Sequence, residues 1–257
     1  MTKIRVMTYN IQHGHVHLDD HIDLTRTCDV IRDIGADIIG LNEVRGRAWG
    51  DTTVSDASRY TAQVEEMAAY LGYHCYFGRS IYLSGHKPYG NALLSKYPIL
   101  EASVIRIPNP VDPADIRRFE PRSICRCVVG VPAVGAVPST FDCPMARLAV
   151  YSSHFGLSPA EQEHAVSAAL IALGEEALPF VFMGDFNMEP QNPLMQPLHE
   201  TLNSAAGFIG EKKSHPSHAP TALIDYIYTS RSVTITAADI PRVVASDHCP
   251  VWADIEY

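Results

Sequence analysis

Asn10 and Gln12, Asn42 and Glu43, His154, Asp185 and Asn187, Asp225, and Asp247 with His248 share one feature: each ends, follows or opens an apolar, strand-like run. The carboxylates suit a hard divalent cation, which takes oxygen ligands and keeps several waters, so one or two protein acids suffice. The imidazoles suit proton movement, because a carboxylate neighbour fixes the tautomer and favours the cationic form. Taken singly, each has a plain explanation. Asn and Asp after strands make turns, and an Asp-His pair can be a surface hydrogen bond. Six such clusters, all carboxylate, amide or imidazole, point instead to one site that manages a metal or a phosphate.

Strands must position these groups. Residues 4–10 (IRVMTYN) read as a strand ending in polar residues, followed by a helix with Leu24, Cys28, Ile31 and Ile34 at helical spacing and Gly35 at its end. Residues 36–41 (ADIIGL) form a short buried strand that delivers Asn42 and Glu43, and Tyr60 to Leu71 is a second helix stopped by Gly72. Strand-like runs follow at Tyr73 to Phe77, Asn91 to Ser95, Ala102 to Ile107, Ser123 to Val131 and Arg147 to Ser153, with Pro and Gly in the gaps. A third helix spans Pro159 to Gly174, with Ser158 as N-cap and Pro159 at the first helical position. Strands return at Phe180 to Met183, Asp225 to Thr229, Val233 to Ala237 and Val251 to Ile255.

Helices are thus sparse, and strands often follow strands directly. A doubly wound parallel sheet needs a helical crossover between neighbours. The pattern fits mixed or antiparallel sheets packed face to face, with helices outside. Two long loops invite a functional reading: Pro108 to Pro121, and Gly207 to Leu223 with Lys212, Lys213, His215 and His218. There is no Gly-rich phosphate loop, short repeat or low-complexity tract.

Composition narrows the class. The 257 residues are 46% hydrophobic and 19% charged, an ordinary globular mix at the upper end for one core. Twenty Lys and Arg against 29 acids leave a net charge of −9, which argues against gripping duplex nucleic acid through a broad basic face. A phosphate handled through a bound cation stays open. Lys3 and Arg5 are not followed by the apolar core of a signal peptide, and the run from Val128 to Val137 is too short to span a bilayer. Cysteines 28, 75, 125, 127, 143 and 249 form no CxxC pair. Cys28 and Cys75 read as reduced core thiols, and Cys125 and Cys127 share one face of a strand, as packing or as a metal pair. A reducing cytoplasm is the expected compartment.

MTYNIQHG, LNEV, YGNALLSKYPI, SSHFGL, MGDFNMEP, IDYIY and SDHCPV occur in that order from residue 7 to residue 251. This set resembles the endonuclease/exonuclease/phosphatase superfamily, the deoxyribonuclease I-like metal-dependent phosphoesterases. The resemblance covers essentially the whole chain. It implies an α/β fold, a four-layer α-β-β-α sandwich of two mixed, mainly antiparallel sheets, with residues 1–257 as a single domain and a monomer as the default. The cleft is expected at one edge of the sandwich.

Residue by residue, the resemblance implies that Glu43 binds the metal, Mg²⁺ or Mn²⁺, with Asp247 as a further acid and Asn10 holding metal or phosphate. Gln12 stands where some relatives carry a carboxylate. Asp185 matches the residue that orients or deprotonates the attacking water. Asn187, two residues on, would point the same way on an extended chain, its amide donating to the phosphate or to Asp185. His248 matches the histidine facing the scissile phosphate, Asp225 its acidic partner, and His154 a second histidine able to protonate the leaving oxygen. Arg122 lies where relatives place a phosphate-contacting basic residue, with Arg117, Arg118 and Arg126 nearby. His13, His15, His17 and His21 crowd the first loop, and His15 with His17 raises a softer-metal site.

The function implied is a divalent-metal-dependent phosphoester hydrolase, a phosphodiesterase acting by in-line attack of water. The alternative from another class is a catalytically silent scaffold for phosphorylated ligands or proteins. Such a member should have lost one of Glu43, Asp185, Asn187, Asp225, Asp247 or His248, and none is lost. Substrate class stays open. The chain lacks the WCDR-type motif of inositol polyphosphate 5-phosphatases and a long basic insertion for duplex DNA. A small phosphodiester, a phospholipid head group or a phosphate monoester is favoured over long nucleic acid.

Overall fold

Apolar side chains alternate along the first strand, and that alternation sets up two cores. A computed structural model describes residues 2–19, 21–47, 62–84, 87–110, 119–132 and 145–257. Strand β1 (Lys3–Asn10) sends Ile4 and Val6 into one core and Met7 and Tyr9 into the other. Strands β2 (Ile38–Arg45) and β4 (Lys87–Ser95) divide likewise: Ile38 and Leu93 face the first core, Ile39, Leu41, Ala92 and Leu94 the second. A period of two makes each strand serve both faces, so this sheet must be covered on both.

Helices α1 (Leu24–Ile34) and α2 (Gln63–Leu71) supply one cover, through Cys28, Ile31, Val64 and Met67. The Asp23 side chain caps α1 by accepting from the backbone N–H groups of Thr25 and Arg26. The opposite cover is the second sheet. Strands β3 (His74–Leu83), β11 (Thr234–Asp239) and β12 (Val251–Glu256) complete the first sheet in the order β11-β12-β1-β2-β4-β3. The second is β5-β6-β7-β8-β10-β9, built from β5 (Ile99–Arg106), β6 (Ser123–Pro132), β7 (Met145–His154), β8 (Phe180–Asp185), β9 (Asn203–Ser204) and β10 (Asp225–Thr229).

Helix α3 (Pro159–Gly174) covers the outer face of the second sheet with Ala165, Val166, Ala169 and Leu173. The expected Ser158 cap is present as a reciprocal capping box with Glu161. The result is the four-layer α-β-β-α sandwich, each sheet mixed and mainly antiparallel. Among the described residues, only β1 with β2 and β7 with β8 run parallel. Among the described residues, no helix is long and apolar enough to cross a membrane.

Some sequence expectations shift. The strands at 73–77, 91–95 and 102–107 prove to span His74–Leu83, Lys87–Ser95 and Ile99–Arg106, and the one at 233–237 spans Thr234–Asp239. Between β8 and β10 the chain also forms α4 (Gln196–Thr201) and α5 (Ala206–Ile209), so the Gly207 to Leu223 loop begins inside a helical turn. These segments are too short for periodicity to show. Tyr60, residues 111–118 of the Pro108 to Pro121 loop with Arg117 and Arg118, and Cys143 lie outside the described residues. Cys28, Cys125, Cys127 and Cys249 are buried free thiols, and Cys75 is half-buried.

Candidate active site

Strand register brings the polar ends together. Asn10 lies opposite Asn42 across the parallel β1–β2 pair. On the second sheet, His154 pairs with Asp185 across β7–β8, and Asp185 with Asp225 across β8–β10. Direct neighbours in a sheet place their Cβ atoms about 5 Å apart. His154, Asp185 and Asp225 therefore form a lateral row, all nearly fully buried.

Gly184 makes this row possible. Its φ is 150°, and a Cβ there would meet the Ser153 carbonyl oxygen at 1.8 Å, so no other residue allows β8 to lie so close to β7. Across the sandwich, Asn42 ties the sheets. Its Oδ1 accepts from the Asp185 N–H at 3.0 Å, while its Nδ2 donates to Asn91 Oδ1 at 2.9 Å and the Ser153 carbonyl at 3.1 Å. Asn91 in turn donates to the Ser123 carbonyl at 2.8 Å.

Glu43 sits where the β2–β4 register slips between Leu41 and Val44, with φ of 60°. A non-glycine residue in that region costs about 1–3 kcal/mol and marks a bulge that turns its side chain toward the site. Tyr89 donates to Glu43 Oε2 at 2.9 Å and Asn10 Nδ2 to Oε1 at 3.2 Å. The same Asn10 amide reaches Asp185 Oδ2 at 3.0 Å, bridging the two sheets' acids.

Around Asp185 the contacts are crowded. His154 Nε2 stands 3.4 Å and His248 Nε2 3.6 Å from its Oδ2. Burial pushes the Asp185 carboxyl up to about 7, with Asp225 adding and the His248 cation opposing. For His248, burial alone would lower the pKa, but Asp225, bonded to Nδ1 at 2.8 Å, and Asp185 raise it to about 10. His154 moves the other way: burial, then the charges of Arg122 and His248, hold it well below the usual imidazole range.

Asn187 departs from the expectation of an extended chain. Its φ is 51°, a turn that Asn tolerates. Its backbone N–H, not its amide, donates to Asp185 Oδ1, at 2.9 Å. The amide donates to the Phe155 carbonyl at 3.0 Å and faces His154 Nε2 at 3.1 Å. Because the carbonyl demands a donor, Nε2 of His154 is an acceptor here.

Asp247, whose carboxylate accepts from Ser246 Oγ at 3.1 Å, groups with His215 and His248, and Asp185 and Asp225 group with His248. In each group the potential ligand atoms lie within 4.8 Å of one another. Arg122 pairs with Glu120 at 3.4 Å and lines a cavity of about 570 Å³ with Phe119, Leu157 and Ser158. The softer-metal pair expected in the first loop changes partner: His17 meets His218 rather than His15.

The donor set fits a hard divalent cation. Glu43, Asp185, Asp225 and Asp247 offer carboxylate oxygens, and Asp225 Oδ1 is buried without a hydrogen-bond partner. Sequence reasoning assigned no role to Tyr89, Asn91 or His215. The cue for Asn91 was an amide inside an otherwise apolar strand, and Tyr89 stands beside it in the same motif.

The profile of the Endonuclease/Exonuclease/phosphatase family matches residues 7–248. The chain belongs to this family. YbhP of Escherichia coli strain K12 is 27% identical over 271 residues, covering 98% of this chain and 95% of YbhP. Among solved family structures, the endonuclease/exonuclease/phosphatase from Beutenbergia cavernae has a TM-score of 0.74 at 23% identity, covering all of this chain and 72% of that one. A mannosyl-6-phosphatase of Bacteroides thetaiotaomicron has a TM-score of 0.72 at 14% identity, covering 99% of this chain and 100% of that one. At these identities the structural likeness establishes the shared fold.

Proposed function

We propose that the chain is a divalent-metal-dependent phosphodiesterase, with residues 1–257 acting as one domain. One observation carries the reading: Asn10 bridges Glu43 to Asp185 at the centre of the His154–Asp185–Asp225–His248 cluster. Glu43, Asn10 and Asp247 would hold the cation, Mg²⁺ or Mn²⁺. When bound, it supplies charge neutralisation for a phosphate that these acids would otherwise repel.

The protein's own groups do the rest. Asp185, fixed by Asn10 and by the Asn187 N–H, orients the attacking water and takes its proton at Oδ2. His248 is held cationic by Asp225 and donates from Nε2 to a phosphate oxygen. His154 stays neutral and fixes the Asn187 amide. Asn10, Asn187 and Arg122 serve as substrate contacts. A small diester or a lipid head group fits the acidic balance better than long nucleic acid, and a cytoplasmic monomer is the expected form.

The test is Mg²⁺-dependent release of p-nitrophenol from bis(p-nitrophenyl) phosphate, beside sphingomyelin-type diesters, nucleic acid and p-nitrophenyl phosphate. Diester turnover lost in Asp185→Ala is the expected result. Turnover of the monoester alone would make the chain a phosphatase. Equal turnover by wild type and variant on every substrate would end the enzymatic reading.

A further inference from the structure

The first loop and the Gly207 to Leu223 loop meet through a pair of imidazoles that the proposed reaction does not use. His17 Nε2 lies 2.8 Å from His218 Nδ1, although the residues are 201 positions apart. The rings stand 4.9 Å apart, tilted by 31°. His17 is half-buried and His218 exposed, so solvent reaches the space between them.

Both backbones are fixed. The Val16 N–H donates to the His21 carbonyl at 3.0 Å, and the Asp19 N–H to the Val16 carbonyl at 3.0 Å. On the other side, the Ser217 N–H donates to the Asp247 carbonyl at 2.7 Å, and Arg242 to the His218 carbonyl at 2.8 Å. Two nitrogen atoms are therefore presented to each other by turns that are already closed, so little ordering remains to be done on binding.

We propose that His17 and His218 form a transition-metal clasp, separate from the Glu43 site, that takes Zn²⁺ rather than Mg²⁺ and joins the two loops. Imidazole nitrogen suits zinc, copper and nickel, whereas Mg²⁺ prefers oxygen donors. Zinc–imidazole bonds of about 2.0–2.1 Å at a tetrahedral ion set the two nitrogens about 3.3 Å apart. The observed pair needs to open by about 0.5 Å to reach that spacing, which the exposed His218 ring allows. Metal replaces the shared hydrogen by a tautomer change. The proton moves to the other nitrogen of its ring, both rings stay neutral, and both facing lone pairs bind the ion.

Water completes the coordination. His218 follows His215 by three residues along the chain, and the His215 ring stands 4.6 Å from that of His248.

The experiment is a calorimetric titration of the metal-stripped full chain with Zn²⁺ in saturating Mg²⁺. Wild type, Glu43→Gln and His215→Ala should each bind about one equivalent, and His17→Ala and His218→Ala should bind it at least about tenfold more weakly. Electron paramagnetic resonance of the Cu²⁺ form reads the ligands directly: two imidazole nitrogens in wild type and one in each clasp variant. No Zn²⁺ uptake by wild type, or wild-type uptake by His17→Ala and His218→Ala, overturns the proposal. So does loss of uptake in His215→Ala, which would place the ion with Asp247 and His248. Because the readout is binding, failure of the hydrolase reading leaves this result untouched.

Discussion

Two polar clusters, one on the outer face of the second sheet and one where the strand ends of both sheets meet, are built on opposite principles. On that outer face, beside α3, Glu176 Oε2 accepts from Arg126 Nη2 at 2.6 Å and Nε at 2.9 Å, and from the Tyr151 hydroxyl at 2.7 Å. Its Oε1 takes the Leu178 N–H at 3.0 Å. Charge meets charge, and every contact is short. At the strand ends, by contrast, Asp185 faces Asp225 across a register pair and two imidazoles at 3.4 and 3.6 Å. One cluster is satisfied. The other packs two buried carboxylates around the His248 cation, with an unpartnered Asp225 oxygen and the left-handed Glu43 backbone. Local conflict that a fold tolerates without stabilising gain is the physical signature of a functional site.

Substitutions that exchange the two behaviours test this contrast. The largest effect is expected at the strained cluster: Asp185→Asn should lower diester turnover by about 10³-fold or more. The same change should leave Tm equal or higher, since it removes a buried charge whose burial costs more than its partners return. A fall in Tm would make Asp185 a structural residue. Next, Asp225→Asn should reduce turnover by about a hundredfold, because His248 loses the partner that fixes its tautomer and holds it cationic. Steady-state kinetics over a pH series checks it, and an unchanged rate would separate Asp225 from the chemistry.

The satisfied cluster should answer in the opposite sense. Glu176→Gln should cost about 2 kcal/mol by denaturant unfolding, with turnover unchanged, because it removes charge-assisted hydrogen bonds. Burial would raise the Glu176 pKa, but Tyr151, the Leu178 N–H and Arg126 outweigh it and hold the group below 4.5. A lowered folded pKa means that this stability is present above the unfolded value and is lost as pH falls through the folded one. Wild type should therefore lose its advantage over Glu176→Gln below about pH 4.5, and a constant difference would contradict the assignment. Smallest is Ser158→Ala, expected to cost about 1 kcal/mol through the α3 cap and nothing in turnover.

How much of this was legible in sequence follows from the range of the interactions. Strand ends, the Ser158 cap and the acid and imidazole positions are local, so Glu43, Asp185, Asp225 and His248 stand out in the sequence itself. Register is not local. That Asn42 binds the Asp185 backbone, or that His17 meets His218, depends on how two sheets and two loops pack. The positive φ of Asn187 reversed which of its groups reaches Asp185, and short α4 and α5 fell below the length at which periodicity speaks. The roles came from the family resemblance alone, and the fold adds where each side chain stands and what it touches.

The central claim is that the strained cluster exists for hydrolysis at a cation-held phosphate. Its most direct test is turnover of bis(p-nitrophenyl) phosphate by wild type and Asp185→Asn at matched folding, with and without Mg²⁺. The account predicts Mg²⁺-dependent turnover in wild type and its loss in a variant at least as stable. Turnover that survives both metal removal and Asp185→Asn would contradict it.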